Sequence, residues 1–151
     1  MDFTYKVDRI SLEIGMINCF VEMVSCGVKP LAISPPISPE DLDVLVAASE
    51  EISNGYHTKC VTVDSLMITD IQSAEFTKGK RSILYYAADA VIEEYYAMDK
   101  RVKELVANGE YTGKVRRDIS IRFGELLGYP MELILHKVDS ETRIDPYVID
   151  C

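Results

Sequence analysis

The chain has 151 residues, 48% of them apolar and 27% charged, and a net charge of −9. Those totals suit one globular core that buries roughly 70% of the unfolded chain's surface, and they exclude a disordered or fibrous protein. The negative balance repels a phosphate backbone at long range, so neither nucleic acid nor a membrane is an expected partner.

Met1-Asp2-Phe3-Thr4-Tyr5-Lys6 carries neither a signal nor a transit pattern. The apolar stretch from Ile10 to Val28 is broken by Glu13, Asn18, Glu22 and Ser25, which is too polar for a membrane span. A cytoplasmic location follows as the expectation. Cys19, Cys26, Cys60 and Cys151 are too scattered for a disulfide scaffold and are expected to be reduced.

Phe3, Tyr5 and Val7 alternate with Thr4 and Lys6, the period of a half-buried strand, and Asp8 then supplies an N-cap. The helix it opens runs from about Arg9 to Cys26 and ends at Gly27, with Lys29 and Pro30 as a stop signal. Leu31-Ala32-Ile33 fits a short second strand. Ser38-Pro39-Glu40-Asp41 places a capping hydroxyl, a proline at the first helical position and two acids at the positive end of a helix dipole. Leu42, Leu45, Val46, Ser49 and Ile52 keep that helix's buried face in phase until Asn54-Gly55 closes it. Lys59 to Val63 alternates as a strand, and Leu66 to Ile71 is read as a strand in preference to a helix.

The second half reads as helical. Its longest member is expected over Ser82 to Asn108, where Leu84, Ala88, Val91, Tyr95, Met98, Val102 and Leu105 follow a four-three repeat. Val115, Ile119, Phe123 and Leu126 mark another helix, Gly128 stops it, and Pro130 restarts the chain into a short helix through Val138. Thr142 to Cys151 contains Pro146 and reads as an extended tail. The whole is one domain over residues 1–151, α+β with helix dominant: a small sheet from the N-terminal half and a helical C-terminal half. An all-α fold, with the apolar runs merely joining helices, is the alternative.

His57 and His136 are the only histidines, and no nucleophile elbow or dinucleotide-binding glycine loop occurs. Cys19, Cys26, His57 and Cys60 would make a soft metal set. On a straight helix, however, Cys19 and Cys26 stand about 10 Å apart along the axis, too far for one zinc with bonds of about 2.3 Å. Neither metal nor cofactor is expected, and these two thiols fall on the apolar side of the first helix, where burial would shield them. The polar stripe of that helix, Ser11, Gly15, Asn18, Glu22, Ser25 and Lys29, spans about 80°. Glu22 is the one carboxylate there, either a candidate catalytic base or part of a solvated face.

Thr77-Lys78-Gly79-Lys80-Arg81-Ser82 has Ala74 and Arg81 where a P-loop needs glycine and a hydroxyl residue, so it is not a nucleotide loop. Lys78, Lys80 and Arg81 nevertheless precede the expected long helix, whose dipole disfavours each by up to about 1 kcal/mol. An anion held by them, by Ser82 and by free backbone N–H groups would relieve this; a solvated turn paired with nearby acids is the alternative. Lys114, Arg116, Arg117 and Arg122 form a second basic patch, with Asp118 spaced to pair Lys114 and Arg122.

Phe123-Gly124-Glu125-Leu126-Leu127-Gly128-Tyr129-Pro130 resembles the Leu-Gly-Tyr-Pro motif of uncharacterised, mainly archaeal domains of unknown function. In those domains paired cysteines closely follow the proline, whereas Met131, Glu132 and Leu133 stand here, so no thiol role comes with the resemblance. Two functions are expected. The first is a non-catalytic interaction or regulatory domain that forms a homodimer, through the polar stripe of the first helix or through the outer face of the long one with Ile92, Tyr96 and Val106. The second is a small enzyme or sensor that takes an anionic metabolite at the Lys78–Ser82 turn.

Overall fold

A computed structural model describes residues 4–141. Its elements are α1 (Arg9–Ser25), β1 (Leu31–Ile33), α2 (Leu42–Gly55), β2 (Lys59–Val63), α3 (Ala74–Thr77), β3 (Ser82–Tyr86), α4 (Asp89–Ala107), α5 (Gly113–Leu126) and α6 (Met131–Asp139). The fold is α+β and helix-dominant, with its sheet in the N-terminal half. The tail expected over residues 142–151 lies outside the described residues.

Local chemistry accounts for most of the boundaries. Asp8 accepts the Ser11 amide at 2.8 Å and caps α1. At the other end Gly27 takes φ +74°, and the Gly27 and Val28 amides return to the carbonyls of Val24 and Met23. This double closure satisfies two otherwise orphaned carbonyls. The Ser38 side chain makes no cap bond; Pro39–Asp41 forms a single 3-10 turn that leads into α2.

The three strands form one antiparallel sheet in the order β1-β3-β2. Ala32 stands opposite Tyr85 and Tyr85 opposite Cys60, while Ile33 and Val61 flank Leu84. Because side chains alternate across a strand, Ala32, Ile83 and Tyr85 share one face, packed by Ile17, Val21 and Val24 of α1 and Leu45 of α2. Leu31 and Leu84 share the other face with α4, α5 and α6, through Tyr95, Leu105, Phe123 and Ile134. Helices therefore cover both faces. The Tyr85 hydroxyl, deep in the first layer, meets Ser49 Oγ at 2.7 Å, which avoids the penalty of about 1–3 kcal/mol for an unpaired buried phenol.

Four expectations are corrected. Residues 82–86 are the central strand rather than the start of the long helix, because β3 is buried on both faces and has no polar alternate to reveal its period. No strand forms over residues 4–8. Residues 66–71 form an irregular strap rather than a strand, held by side chains of the second half. Tyr95 Oη accepts the Met67 amide (3.2 Å), Tyr111 Oη donates to the Ile68 carbonyl (2.6 Å), and Ser120 Oγ accepts the Asp70 amide (2.9 Å). Burial pushes the Tyr95 phenol up to about 12, so it stays protonated. Lastly, Cys19 and Cys26 are exposed, since the buried face of α1 centres on Glu13, Ile17, Val21 and Val24, and both thiols are open to reagent. No helix among the described residues is long and apolar enough to cross a membrane.

Candidate functional site

The turns that end α1 and α5 meet. Gly128 takes φ +73°, and a Cβ placed there would lie 3.2 Å from the Val28 carbonyl oxygen and 3.3 Å from Lys29 Cγ. Glycine thus permits both the left-handed turn and the close approach. The approach carries Lys29 under the end of α5, where its amine donates to the Leu127 carbonyl and stands 4.9 Å from the centre of the Tyr129 ring. Both contacts suit a cation, one through the negative end of a helix dipole and the other through the face of an aromatic ring.

Lys29 lines a cleft of about 370 Å³. Phe20 and Met23 of α1 form one wall, Ala32, Ile33, Ser34 and Pro36 another, and Leu127 and Tyr129 of the α5–α6 turn a third. Leu66, Gln72, Phe76, Thr77 and Ser82 close it. A mostly apolar concavity with a few polar groups is the usual form of a small-molecule site. Ser34 Oγ accepts the Ile83 amide (2.9 Å) and donates to the Pro35 carbonyl (2.8 Å), which fixes the wall beyond β1. Burial lowers the Lys29 amine below the usual lysine range and raises the Tyr129 phenol. Lys29 has no carboxylate partner among the described residues. An ammonium has three donors, and one carbonyl uses one of them.

The residues expected to bind an anion are separated. Ser82 is buried in β3 and lines the Lys29 cleft. Lys78 and Lys80 line a different groove of about 630 Å³, between residues 64–80 and the second half of α4. Since β3 follows them, the helix N-terminus on which the anion argument rested is not formed there; the next long helix starts at Asp89. Lys78 pairs with Glu75 at 3.5 Å, Arg81 with Asp64 at 3.2 Å, and Lys103 across the groove with Asp99 at 2.6 Å. That leaves Lys80 as the one groove lysine with no ion pair among the described residues, and it is exposed. Glu22 sits on the exposed side of α1 and does not line the Lys29 cleft.

The second basic patch is divided as well. Lys114 pairs with Asp118, but Arg122 goes to Glu94 (2.5 Å) and Glu125 (3.2 Å), Arg117 to Asp139 (2.9 Å) and Arg116 to Asp70 (2.9 Å). Among the described residues no three His, Cys, Asp or Glu side chains gather where they could hold a metal. Sequence reasoning passed over Glu13, a buried carboxylate bridged by Arg9 (3.0 Å), which also reaches Asp41 (2.6 Å) and ties α1 to the turn before α2. It also passed over Lys29 as a ligand group, although Lys29 was placed in the polar stripe of α1. Nothing local marks Lys29, because its setting depends on Leu127, 98 residues away. No family model matches the chain, and comparison with curated proteins and solved structures found no match.

Proposed function

We propose that this chain is a cytoplasmic, non-catalytic regulatory domain that binds a small carboxylate with an apolar body in the Lys29 cleft. The observation that carries the reading is a half-buried lysine in an apolar cleft without a carboxylate partner among the described residues. A bound carboxylate would supply the missing countercharge, and the surrounding Phe20, Met23 and Leu66 would cover its apolar part. The reading keeps an anionic metabolite as ligand and moves it from the Lys78–Ser82 turn to Lys29 and Ser82.

Thermal unfolding with phenylacetate is the test. A ligand at a hundred times its dissociation constant adds about 2.7 kcal/mol of stability. The parent protein is expected to be stabilised, and Lys29→Met to lose the response, while Lys80→Ala with Arg81→Ala keeps it. A double variant that loses the response, or a parent indifferent to carboxylates, removes the reading.

A second reading, compatible with the first, is homodimer formation. Tyr96 and Val106 are exposed on α4, and Gly15 opens onto free space on the outer side of α1, whereas Ile92 is buried and takes no part. In a twofold contact a charge at the centre meets its own copy. Gly15→Glu and Tyr96→Glu, made separately, are expected to split a dimer at whichever face is used, as read by light scattering. A parent that stays monomeric at high micromolar concentration ends this reading.

A further inference from the structure

We infer that Lys29 holds its ligand covalently and reversibly, forming an imine with an α-keto acid whose side chain is apolar and occupies the cleft beside α1 and β1. The inference rests on the carboxylate reading above and adds a bond to it.

The setting is what an imine-forming lysine requires. A nucleophilic amine must spend time unprotonated, and its site must be partly desolvated while admitting a carbonyl carbon. Lys29 is half-buried within a cleft of about 370 Å³, and burial favours its neutral form. Its contacts, the Leu127 carbonyl and the Tyr129 ring, suit the ammonium but carry no full charge, so no carboxylate among the described residues opposes the release of its proton. By contrast, Lys59, Lys103 and Lys114 are each ion-paired with an aspartate.

The step balances without another reactant. The Nζ ammonium first gives a proton to solvent; the freed lone pair adds to the keto carbon, the C–N bond forms as the C=O π bond breaks, and the oxygen takes one proton from that nitrogen and one back from solvent. Loss of that oxygen as water breaks the C–O bond and leaves an iminium, and hydrolysis reverses the sequence. The iminium keeps a positive charge, so the ligand's own carboxylate stays paired, and its N–H can still donate to the Leu127 carbonyl.

Phenylglyoxylate with cyanoborohydride, followed by peptide mapping, tests this on the intact parent protein. Phenylacetate, which has the ring and carboxylate but no keto group, reports on anion binding alone. The expected result is an adduct on the Lys29 peptide that forms severalfold faster than on exposed Lys80 or Lys100. Lys29→Arg should lose that adduct, whereas Lys80→Ala, outside the cleft, should keep both the adduct and the phenylacetate response. Adducts spread evenly over exposed lysines, or a mapping pattern unchanged by Lys29→Arg, overturn the imine while a phenylacetate response leaves the binding reading standing. If phenylacetate also has no effect, both fail together. The parent's adduct map decides even if Lys29→Arg does not fold.

Discussion

Replacing Gly124 with valine is expected to destabilise the protein by about 3 kcal/mol, and with alanine by about 1–2 kcal/mol. At an ordinary helix interior alanine would instead stabilise, by about 1 kcal/mol. Gly124 is buried where α5 crosses α6, and a Cβ there would stand 2.8 Å from Ile134 Cγ1, 3.0 Å from Cδ1 and 3.1 Å from Cγ2. Ile134 is itself fully buried, and its branched side chain meets the new atom with three of its own, so no single rotation clears it. Denaturant melts of Gly124→Ala, Ile134→Ala and the double variant check the argument. The two changes should couple, with the double variant less destabilised than the sum of the singles. Stabilisation by Gly124→Ala alone would mean that the helices do not approach at this point. Since Leu127 and Tyr129 belong to the turn that joins α5 to α6, loosening the crossing should also weaken carboxylate binding.

Arg116→Met is expected to cost about 2–3 kcal/mol, although it keeps most of the side chain's aliphatic length. Asp70 is nine-tenths buried, and Arg116 Nη2 reaches it at 2.9 Å while the guanidinium lies 5.1 Å from the centre of the Tyr111 ring. Removing the cation leaves the carboxylate in a setting that water reaches poorly. Arg122→Met is the control, because Arg122 pairs with Glu94 and Glu125 at the surface, where solvent screens the attraction and the loss should stay within about 1 kcal/mol. Equal losses for the two variants would show that burial does not set the difference. Asp70 anchors the strap that delivers Leu66 and Gln72 to the cleft, so Arg116→Met should reduce carboxylate affinity as well as stability.

Helices with a chemical start or stop could be read before the structure. Asp8 and Gly27 bracket α1, Asn108 and Gly109 end α4, and Gly128 ends α5, each through the bonds that the residue type suggests. The strands at the sheet edges, β1 and β2, were also legible. The central strand was hidden because Ile83, Leu84, Tyr85 and Tyr86 are all apolar or aromatic, and the chain leaves β3 through Ala87 and Ala88, two residues that favour helix rather than mark a turn. The strap over residues 66–71 was misread for a related reason. Tyr95, Tyr111 and Ser120 satisfy its backbone, and no local pattern announces partners so far along the chain.

The candidate site was hidden more deeply. The cluster Lys78, Lys80, Arg81 and Ser82 drew attention because four polar residues stand together in sequence, but β3 sends Ser82 inward while the lysines stay in an exposed groove. Lys29, in contrast, looks like an ordinary cation after a helix stop. Its chemistry comes from Gly128, which lets two turns touch, and from the burial that this contact imposes.

Titrating phenylacetate into isotopically labelled protein, while following backbone and lysine side-chain resonances, shows whether the Lys29 cleft takes a small carboxylate. Saturable shifts are expected at Phe20, Met23, Lys29, Ser34, Ser82 and Leu127, with the Lys29 amine among the largest. Shifts gathered instead at Lys78, Lys80 and Lys103, or a spectrum unmoved by the ligand, would contradict binding in that cleft.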